Sequence, residues 1–331
     1  MLTSALDAAT LERLVSAAVA APSMHNGQPW RFRFRPETTT LEVRAVPQGT
    51  LRVTDPADRG MHISVGAAVF NLRVAVRHLD REPVVRLLPH PAEPDLLAAV
   101  RLAGPSRTFA DDRPDLYAAM WRRHSSRLPF SDHPVPAAVL TELAEAARTE
   151  GAELDLPDES EAHRLLEVTA EAERRNTTDP RRSAESRHAI QGAADDPYGI
   201  PAAALGPQDA HGRPSVRDFS AIRPAEHLPP ASFEAHPRIT LLSTARDEPA
   251  DWLRAGQALQ HVLLLATARG QQASLLHQAM EWPDLRWSLR DPRHGPGHPQ
   301  MLIRLGYGPQ GAATPRRPVA DVLEGGPDDP A

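Results

Sequence analysis

Apolar residues recur with helical spacing in several long segments of the chain. In Thr10–Ala21 they would form one face of a helix, made of Leu11, Leu14, Val15, Ala18 and Val19. Comparable patterns predict further helices at Ile63–Leu79, Leu116–His124, Ala137–Ala147, Glu159–Arg174 and Trp252–Ala268.

Shorter segments alternate between apolar and polar residues, as strands with one buried face do. The alternation is clear in Trp30–Phe34 and Leu41–Val46. Further strands are predicted at Val84–Leu88, Leu97–Leu102, Arg238–Ser243 and Met301–Leu305. The mixture predicts an α+β fold in which a central sheet is flanked by helices.

Two parts of the chain share a pattern that indicates an internal duplication. Gly66–Leu72 (GAAVFNL) and Gly256–Val262 (GQALQHV) place glycine, alanine and apolar residues at the same spacing within a long helix. Each helix is followed, some way on, by a strand that ends in Arg-Leu and a glycine. The shared order predicts two related halves, 1–112 and 113–323, each with a central sheet flanked by helices.

The second half contains a long segment, 176–230, that is rich in proline, aspartate, arginine and alanine and has little periodicity. Such a segment is either disordered or a functional cover. Two short islands, Asp195–Pro201 and Val216–Phe219, favour a lid that packs on the rest of the protein. Residues 324–331 are predicted to form a flexible tail.

Composition and charge narrow the possible partners. The 331 residues, 41% of them hydrophobic, are typical of a globular protein with a large core. The net charge of −6 argues against a nucleic-acid partner, because a phosphate backbone requires a basic face. No apolar run reaches the length of a membrane span, and Met1–Thr10 shows no signal peptide. We therefore expect no membrane partner and a cytoplasmic location.

Two residue types are absent, which restricts the chemistry. Without cysteine, the chain has no thiolate nucleophile, no disulfide and no cysteine-held metal. All 37 basic side chains are arginine, so a lysine Schiff base and a phosphate-loop lysine are excluded as well. Any bound anion must be held by arginine, histidine, hydroxyls or backbone N–H groups.

Three segments concentrate polar side chains on loops rich in proline. Ala21–Trp30 (APSMHNGQPW) joins the first helix to the first strand and carries hydroxyl, imidazole and amide groups. Trp121–Pro136 contains a cluster of anion donors, namely Arg122, Arg123, His124, Ser125, Ser126 and Arg127. Thr314–Leu323 adds two arginines next to prolines. Taken singly, the first is also compatible with a simple connector and the second with a solvated basic turn.

In this order, the three segments resemble the motifs of the FMN-dependent nitroreductase family. The family's P-S-x-x-N-x-Q-P-W loop matches Pro22, Ser23, Asn26, Gln28, Pro29 and Trp30. Its R-[RH]-S-x-[RK] segment matches Arg123, His124, Ser125 and Arg127. Its late arginine, next to the phosphate, matches Arg316, with Arg317 as a neighbouring candidate.

The resemblance implies a role for each matched residue. Arg123, Ser125 and Arg316 would hold the FMN phosphate, and Arg127 would place positive charge at the pyrimidine edge of the flavin. The backbone around Leu276 and His277 would donate hydrogen bonds to the flavin N5. The loop with Pro22, Ser23, Asn26 and Gln28 would close the site from the other half.

The chain departs from an ordinary member of that family, which carries both motifs in each of two subunits. Here each motif occurs once, in different halves. This implies one composite FMN site per chain and a monomer in which the halves mimic a dimer. The arrangement, with its long inserted segment, is similar to the Acg-type branch of the family, whose members fold a lid over the flavin.

Two functions remain open on this evidence. The resemblance implies an oxidoreductase in which FMN takes a hydride from NADH or NADPH and passes it to a small-molecule acceptor, a nitroaromatic or a quinone. Since the flavin carries out this chemistry, no catalytic side chain and no metal are predicted. The alternative is a protein that stores or sequesters FMN under a closed lid. Neither the nucleophile motif of hydrolases nor the glycine motif of dinucleotide-binding folds occurs.

Overall fold

The computed structural model describes residues 6–46, 51–105, 114–190, 197–212, 230–290 and 297–324. Its helices are α1 (Ala8–Val19), α2 (Arg59–His78), α3 (Leu116–Arg122), α4 (Ala137–Thr149), α5 (Glu159–Thr178), α6 (Pro180–Ile190), α7 (Pro249–Ala268), α8 (Pro283–Ser288) and α9 (Val319–Val322). Its strands are β1 (Trp30–Arg35), β2 (Thr40–Ala45), β3 (Arg81–Leu87), β4 (Leu96–Pro105), β5 (Glu153–Asp155), β6 (Arg238–Thr244), β7 (Gln272–Leu276), β8 (His298–Gly306) and β9 (Leu323–Glu324). None of the helices in these ranges is long and apolar enough to cross a membrane.

The strands form two sheets, so the fold class is α+β, as predicted. The first sheet has the order β3-β4-β2-β1-β9 and the second the order β5-β6-β8-β7. Neighbouring strands are antiparallel, except that β9 runs parallel to β1 through the pairs Phe32–Leu323 and Arg33–Glu324. The C-terminal part of the chain thus returns to the first sheet. Glu324, which we assigned to a flexible tail, lies in this strand, whereas 325–331 lie outside the described residues.

Every helix and strand predicted from the apolar pattern is present, with ends shifted by a few residues. The pattern missed the short elements α8, α9, β5, β7 and β9. It also missed α6, which lies in the segment expected to be irregular. Its buried face consists of Arg182, Ser183, Ser186 and Ala189, so hydrophobic periodicity could not reveal it. Asn176, the predicted start of that segment, is buried inside α5. The island Val216–Phe219 and the boundary at 112–113 lie outside the described residues.

Helices α2 and α7 cross at two glycines. A Cβ atom on Gly66 would lie 2.2 Å from the carbonyl oxygen of Leu253, and one on Gly256 would lie 2.1 Å from that of Ile63. Both distances are far below van der Waals contact, so only glycine allows the two backbones to approach this closely. Leu253 packs in the core of the first sheet and Ile63 in that of the second, so the crossing joins the two cores.

The contacts at this crossing occur in matched pairs. Each glycine approaches the carbonyl oxygen of the residue three positions before the other glycine. Further along, Phe70 stacks on His261 with 4.7 Å between ring centroids, and Gln260 donates a hydrogen bond of 2.7 Å to Asn71. In both contacts the fourth residue after one glycine meets the fifth residue after the other glycine. Two-fold symmetry between related halves would require such a pairing.

A buried carboxylate reinforces the crossing. Glu150, at the end of α4, pairs with Arg73 of α2 and lies 3.5 Å from Nδ1 of His261 in α7. Burial alone would raise the pKa of Glu150, but hydrogen bonds and charge from His261 and Arg73 outweigh it and hold that pKa below its usual value. The carboxylate is ionised at neutral pH, so charge as well as packing joins the three helices.

Alanine at either glycine of the crossing should push α2 and α7 apart. We expect Gly66→Ala and Gly256→Ala to lower the free energy of unfolding by about 1–3 kcal/mol, because the clash outweighs the gain in helix propensity. Gly104→Ala is the matched control, since a Cβ atom there would have nothing within 4 Å. Urea denaturation measures the effect. Variants at Gly66 and Gly256 as stable as the Gly104 variant would contradict the close approach.

Candidate functional site

A cavity of about 570 Å³ lies beside the helix crossing. It is lined by the end of α1 and the loop that follows, the start of α2, the segment after α3, the end of β7 and the loop after β8. Its apolar surface includes Ile63 and Ala67 from α2, Leu259 from α7 and Met301 from β8. Five arginines and three histidines line the cavity against three carboxylates, so it suits a ligand that is both anionic and partly apolar.

The loop between α1 and β1 has an unusual backbone conformation. His25, Asn26 and Gln28 have φ values of 50°, 57° and 50°. Asparagine and histidine tolerate this region better than most residues, but glutamine rarely adopts it, so the surrounding contacts must hold Gln28 there. Ser23 provides one such contact by accepting a hydrogen bond of 3.0 Å from the backbone N–H of Gln28. As a result, His25 and Asn26 lie in the cavity wall.

Asn26 joins this loop to two distant parts of the chain. Its side-chain amide donates to the carbonyl oxygens of Gly199 at 2.9 Å and Pro315 at 3.1 Å. Its oxygen accepts a hydrogen bond of 2.9 Å from Nη1 of Arg316. The amide therefore fixes the position of an arginine that we predicted to bind an anion.

Gln28 and Leu276 lie behind the cavity wall. Gln28 is buried, donates to the carbonyl of Pro197 at 2.6 Å and accepts a hydrogen bond of 2.9 Å from the backbone N–H of Arg317. The side chain of Leu276 is buried in the core. The other predicted site residues line the cavity: Pro22, Ser23, Asn26, Arg123, His124, Ser125, Arg127, His277, Arg316 and Arg317.

A buried ion pair positions the arginine-rich segment after α3. Arg304 of β8 is fully buried, and its guanidinium binds the two oxygens of Glu234 at 2.5 and 2.6 Å. The same guanidinium donates to the carbonyl of Leu128 at 3.2 Å and lies 3.8 Å from the ring centroid of Phe130. Glu234 also accepts a hydrogen bond of 3.0 Å from the backbone N–H of Phe130. These contacts anchor the segment, so residues 123–127 are held against the cavity.

Two arginines in the cavity wall, Arg123 and Arg316, have no carboxylate partner among the described residues. Arg123 is 6% exposed, its hydrogen bond to the carbonyl of Ala20 is long at 3.4 Å, and its Nε has no partner there. Arg316 donates to Asn26 and Thr314, but its Nε also lacks a partner within the described chain.

Burial makes the protonated form of both side chains less stable, but not enough to neutralise them at neutral pH. It lowers the pKa of Arg123 to about 9, with the nearby charge of Arg316 adding to the effect. It lowers the pKa of Arg316 to about 10. Both guanidiniums are therefore still charged at neutral pH, and the cavity wall carries two buried positive charges that attract an anion.

His124 lies next to this pair and is neutral at neutral pH. Burial lowers its pKa, the hydrogen bond to Gly311 opposes this, and the charges of Arg123 and Arg316 lower the pKa further. Its Nδ1 lies 3.1 Å from the carbonyl oxygen of Gly311, to which it donates in the neutral ring. His124 therefore contributes a polar surface and no additional charge.

Several lining residues were missed by the sequence analysis, including Thr54, Asp55, Arg59, Trp121, Glu281 and Thr314. Arg59 begins α2 and donates to the carbonyl of Gln300 at 2.9 Å. Burial lowers the pKa of Arg59 to about 10, with the charge of Arg286 adding to this and three carboxylates opposing it. No motif or spacing marks Arg59 in the sequence, because only the fold brings it to the cavity.

Residues 197–212, here called the cover segment, pack on the cavity wall. Arg127 donates a hydrogen bond of 2.8 Å to the carbonyl of Ala204, and Ile200 lines the cavity. Gly206 has a φ of 72°, and a Cβ atom there would lie 2.3 Å from the carbonyl oxygen of Arg127. A residue that we predicted to bind a cofactor therefore also holds the cover segment in place.

Comparison with known proteins gives relatives that match nearly the whole chain, although no family model matches it. Two Mycobacterium tuberculosis H37Rv proteins are both named "Putative NAD(P)H nitroreductase". Rv3131 is 33% identical over 328 residues, which cover 96% of this chain and 92% of that protein. The protein called acg is 28% identical over 322 residues, which cover 95% of each.

Solved structures give a weaker likeness. The FMN and NADPH-dependent nitroreductase NfnB from Sphigopyxis sp. strain HMH has a TM-score of 0.40 at 19% identity, covering 64% of this chain and 98% of its own. A nitroreductase with bound FMN from Desulfitobacterium hafniense DCB-2 has a TM-score of 0.39 at 15% identity, covering 63% and 97%. At these TM-scores neither structure carries an argument about this chain. The match to Rv3131, in contrast, extends over almost the full length of both sequences, and the chain therefore belongs to the NAD(P)H nitroreductase family.

Proposed function

We propose that this chain binds FMN in the cavity and uses it to pass a hydride from NADH or NADPH to a small electrophile, a nitroaromatic or a quinone. The observation that carries the proposal is the pair of buried guanidiniums, Arg123 and Arg316, without a carboxylate partner among the described residues. Membership of the NAD(P)H nitroreductase family supports the class of reaction and the hydride donor.

A phosphate monoester is the anion that fits this pair best. Two buried positive charges cost several kcal/mol without a counter-charge, and a phosphate with up to two negative charges would compensate both. Arginine binds phosphate through paired N–H donors, and the side chains of Arg123 and Arg316 both line the cavity. The hydroxyl groups of Ser125 and Thr314 belong to the same lining and can complete the site.

The remaining lining suits a flat aromatic ring system with polar edges. Ile63, Ala67, Leu259 and Met301 offer apolar surface. In the proposal, Arg127 and the backbone around Leu276 and His277 face the polar edges of the ring. FMN, when bound, supplies the hydride chemistry. The side chains bind and orient the ligands and exclude water from them.

We further propose that the two halves form a single composite site in a monomer. His25 and Asn26 come from residues 1–112, whereas Arg123 and Arg316 come from 113–323, and all four line the same cavity. The matched contacts of α2 and α7 support a symmetric pairing of the halves. When the halves pair in this way, the surface that would otherwise join two subunits is buried within one chain.

The cover segment favours a second candidate function, storage of FMN with little turnover. Arg127 and Asn26 line the cavity and also hold carbonyl groups of the cover segment. A nicotinamide reaches the flavin only if this cover leaves room or moves. Both functions require bound FMN. They differ in whether a nicotinamide or an electron acceptor can reach the flavin.

Removal of one guanidinium should weaken FMN binding and stabilise the FMN-free protein. We expect Arg123→Met to raise the Kd for FMN about 10- to 100-fold, because charged hydrogen bonds to the phosphate are lost. The melting temperature of the FMN-free variant should rise, because a buried charge without a counter-charge is removed. Quenching of flavin fluorescence and thermal denaturation measure the two effects.

Arg174→Met is the matched control, since the Arg174 side chain is 67% exposed and pairs with Glu171 on the surface of α5. It should change neither the Kd nor the melting temperature appreciably. Unchanged FMN affinity in Arg123→Met would contradict the proposed phosphate contact.

An anaerobic titration of the FMN-loaded protein with NADPH, and separately with NADH, distinguishes the reductase from the storage protein. We expect prompt loss of the absorbance of oxidised flavin, because the proposed reaction begins with hydride transfer to FMN. A spectrum that neither nucleotide changes but dithionite bleaches would contradict the reductase and support storage.

Two glycine variants test whether the cover segment limits that step. Gly206→Ala should displace the cover from Arg127, because its Cβ atom has no room. Gly212→Ala introduces the same positive-φ strain, at 70°, but its Cβ atom meets nothing within 4 Å. If the cover segment limits the access of NADPH to the flavin, Gly206→Ala should accelerate bleaching and Gly212→Ala should leave its rate unchanged. Equal rates in both variants would show that the cover segment does not limit this access.

A further inference from the structure

A histidine in the cavity wall is hydrogen-bonded to a buried carboxylate. His277 follows β7, and its Nδ1 lies 2.7 Å from Oε1 of Glu281. The side chain of His277 is 17% exposed and that of Glu281 is 2% exposed, and both line the cavity. The pair therefore sits where a bound ligand can meet the imidazole.

Two further side chains fix the carboxylate from behind. The other oxygen of Glu281, Oε2, accepts hydrogen bonds from Asn176 of α5 at 2.8 Å and from Arg182 of α6 at 3.3 Å. Arg182 also donates to the backbone carbonyl of Glu281 at 3.1 Å, and its guanidinium lies 4.0 Å from the ring centroid of Trp282. Trp282 in turn donates to Asn176 at 2.8 Å. The carboxylate has little freedom to turn, so it holds the imidazole in one orientation.

This orientation assigns different tasks to the two ring nitrogens. A carboxylate accepts hydrogen bonds, so Nδ1 of His277 carries the proton that points to Glu281. Because Nδ1 is bonded to Glu281, Nε2 is the atom that would exchange a proton with a ligand in the cavity. An imidazole held by a carboxylate in this way is the arrangement that general acid–base catalysis uses.

We propose that His277 is the proton donor to the electron acceptor, oriented by Glu281, so that the cavity accepts molecules whose oxygen must be protonated on reduction. The inference rests on the proposed function. A quinone that receives a hydride, with its two electrons, needs one more proton to become a hydroquinone. The imidazolium of His277 gives that proton from Nε2 to the acceptor oxygen and becomes neutral imidazole. One proton from water then restores the imidazolium.

The surrounding charges favour this role over a metal site. Ligand atoms of His25, His277 and Glu281 lie within 4.8 Å of one another, near enough to hold a metal ion. However, Arg182 already pairs with Glu281, and the buried Arg59 is close enough to interact with the same carboxylate. A divalent cation would be repelled by these two positive charges twice as strongly as the single charge of an imidazolium, which is in addition hydrogen-bonded to Glu281.

Reoxidation of the reduced protein by two different acceptors tests the proposal. The FMN-loaded protein is reduced with dithionite and mixed anaerobically with menadione, a quinone, or with ferricyanide, which takes up electrons without protons. We expect His277→Gln to slow the reaction with menadione about 100-fold more than the reaction with ferricyanide, which is the scale of general acid catalysis. Equal slowing with both acceptors, or no slowing with menadione, would overturn the proposal.

His163→Gln is the matched control. His163 and Glu167 have the same four-residue spacing as His277 and Glu281, at 3.3 Å between Nε2 and Oε1, but both are exposed on α5. The control should react like the unmodified protein with both acceptors. Because dithionite replaces NADPH as reductant, the test does not depend on the hydride donor. Failure to bind FMN would contradict the proposed function rather than this inference.

A second measurement uses the FMN-free protein and does not depend on turnover. In protein labelled with ¹⁵N-histidine, the nitrogen chemical shifts of neutral His277 should show the proton on Nδ1, with the signals assigned by their absence in His277→Gln or His277→Asn. A proton on Nε2 in the neutral ring would overturn the proposed orientation. Addition of Zn²⁺ or Mn²⁺ should leave these signals in place, and stoichiometric binding of either ion at His277 would replace the proposal by a metal site.

Discussion

The close approach of α2 and α7 determines how the two sheets and the cavity are arranged. Gly66 and Gly256 allow the helix backbones to touch, which brings the core of each sheet against the other. The cavity lies beside this contact and takes part of its wall from both helices, including Ala67 and Leu259. A side chain at either glycine would therefore alter the geometry of the cavity as well as the stability of the protein. Gly66 and Gly256 therefore affect both the packing of the two cores and the shape of the cavity.

The second constraint is electrostatic. A protein gains nothing in stability from two buried guanidiniums that lack a counter-charge, and burial lowers the pKa of both Arg123 and Arg316. Their position is understandable if the missing counter-charge arrives with a ligand. Elsewhere the chain pairs a buried arginine with a carboxylate, as Arg304 with Glu234 shows. The contrast between these arginines supports the proposed anion site in the cavity.

The fold could be predicted largely from the sequence, because most of its helices and strands follow simple apolar periodicity. One missed element with functional consequences is α6, whose buried face is polar and is held by hydrogen bonds such as those of Arg182. A pattern search for apolar residues cannot detect such a helix. The same limit explains why the predicted lid, 176–230, was expected to begin at Asn176, a residue that is buried in α5.

The candidate site could be predicted where a motif marked it and not elsewhere. Asn26, Arg123 and Arg316, which their motifs singled out, all line the cavity. Gln28, in contrast, belongs to the same motif but lies behind the wall. The pair of His277 and Glu281 could not be distinguished by spacing, because the exposed pair of His163 and Glu167 has the same spacing. Only burial and the partners behind the carboxylate separate the two.

We propose that one cavity per chain binds a phosphate-bearing flavin through two buried arginines. Isothermal titration of the FMN-free protein with FMN and, separately, with riboflavin is the direct test, since riboflavin has the same ring system without the phosphate. We expect one FMN per chain and an affinity for riboflavin at least about 100-fold weaker, in keeping with the loss of several charged hydrogen bonds. Equal affinity for the two flavins, or two FMN molecules per chain, would contradict the proposal.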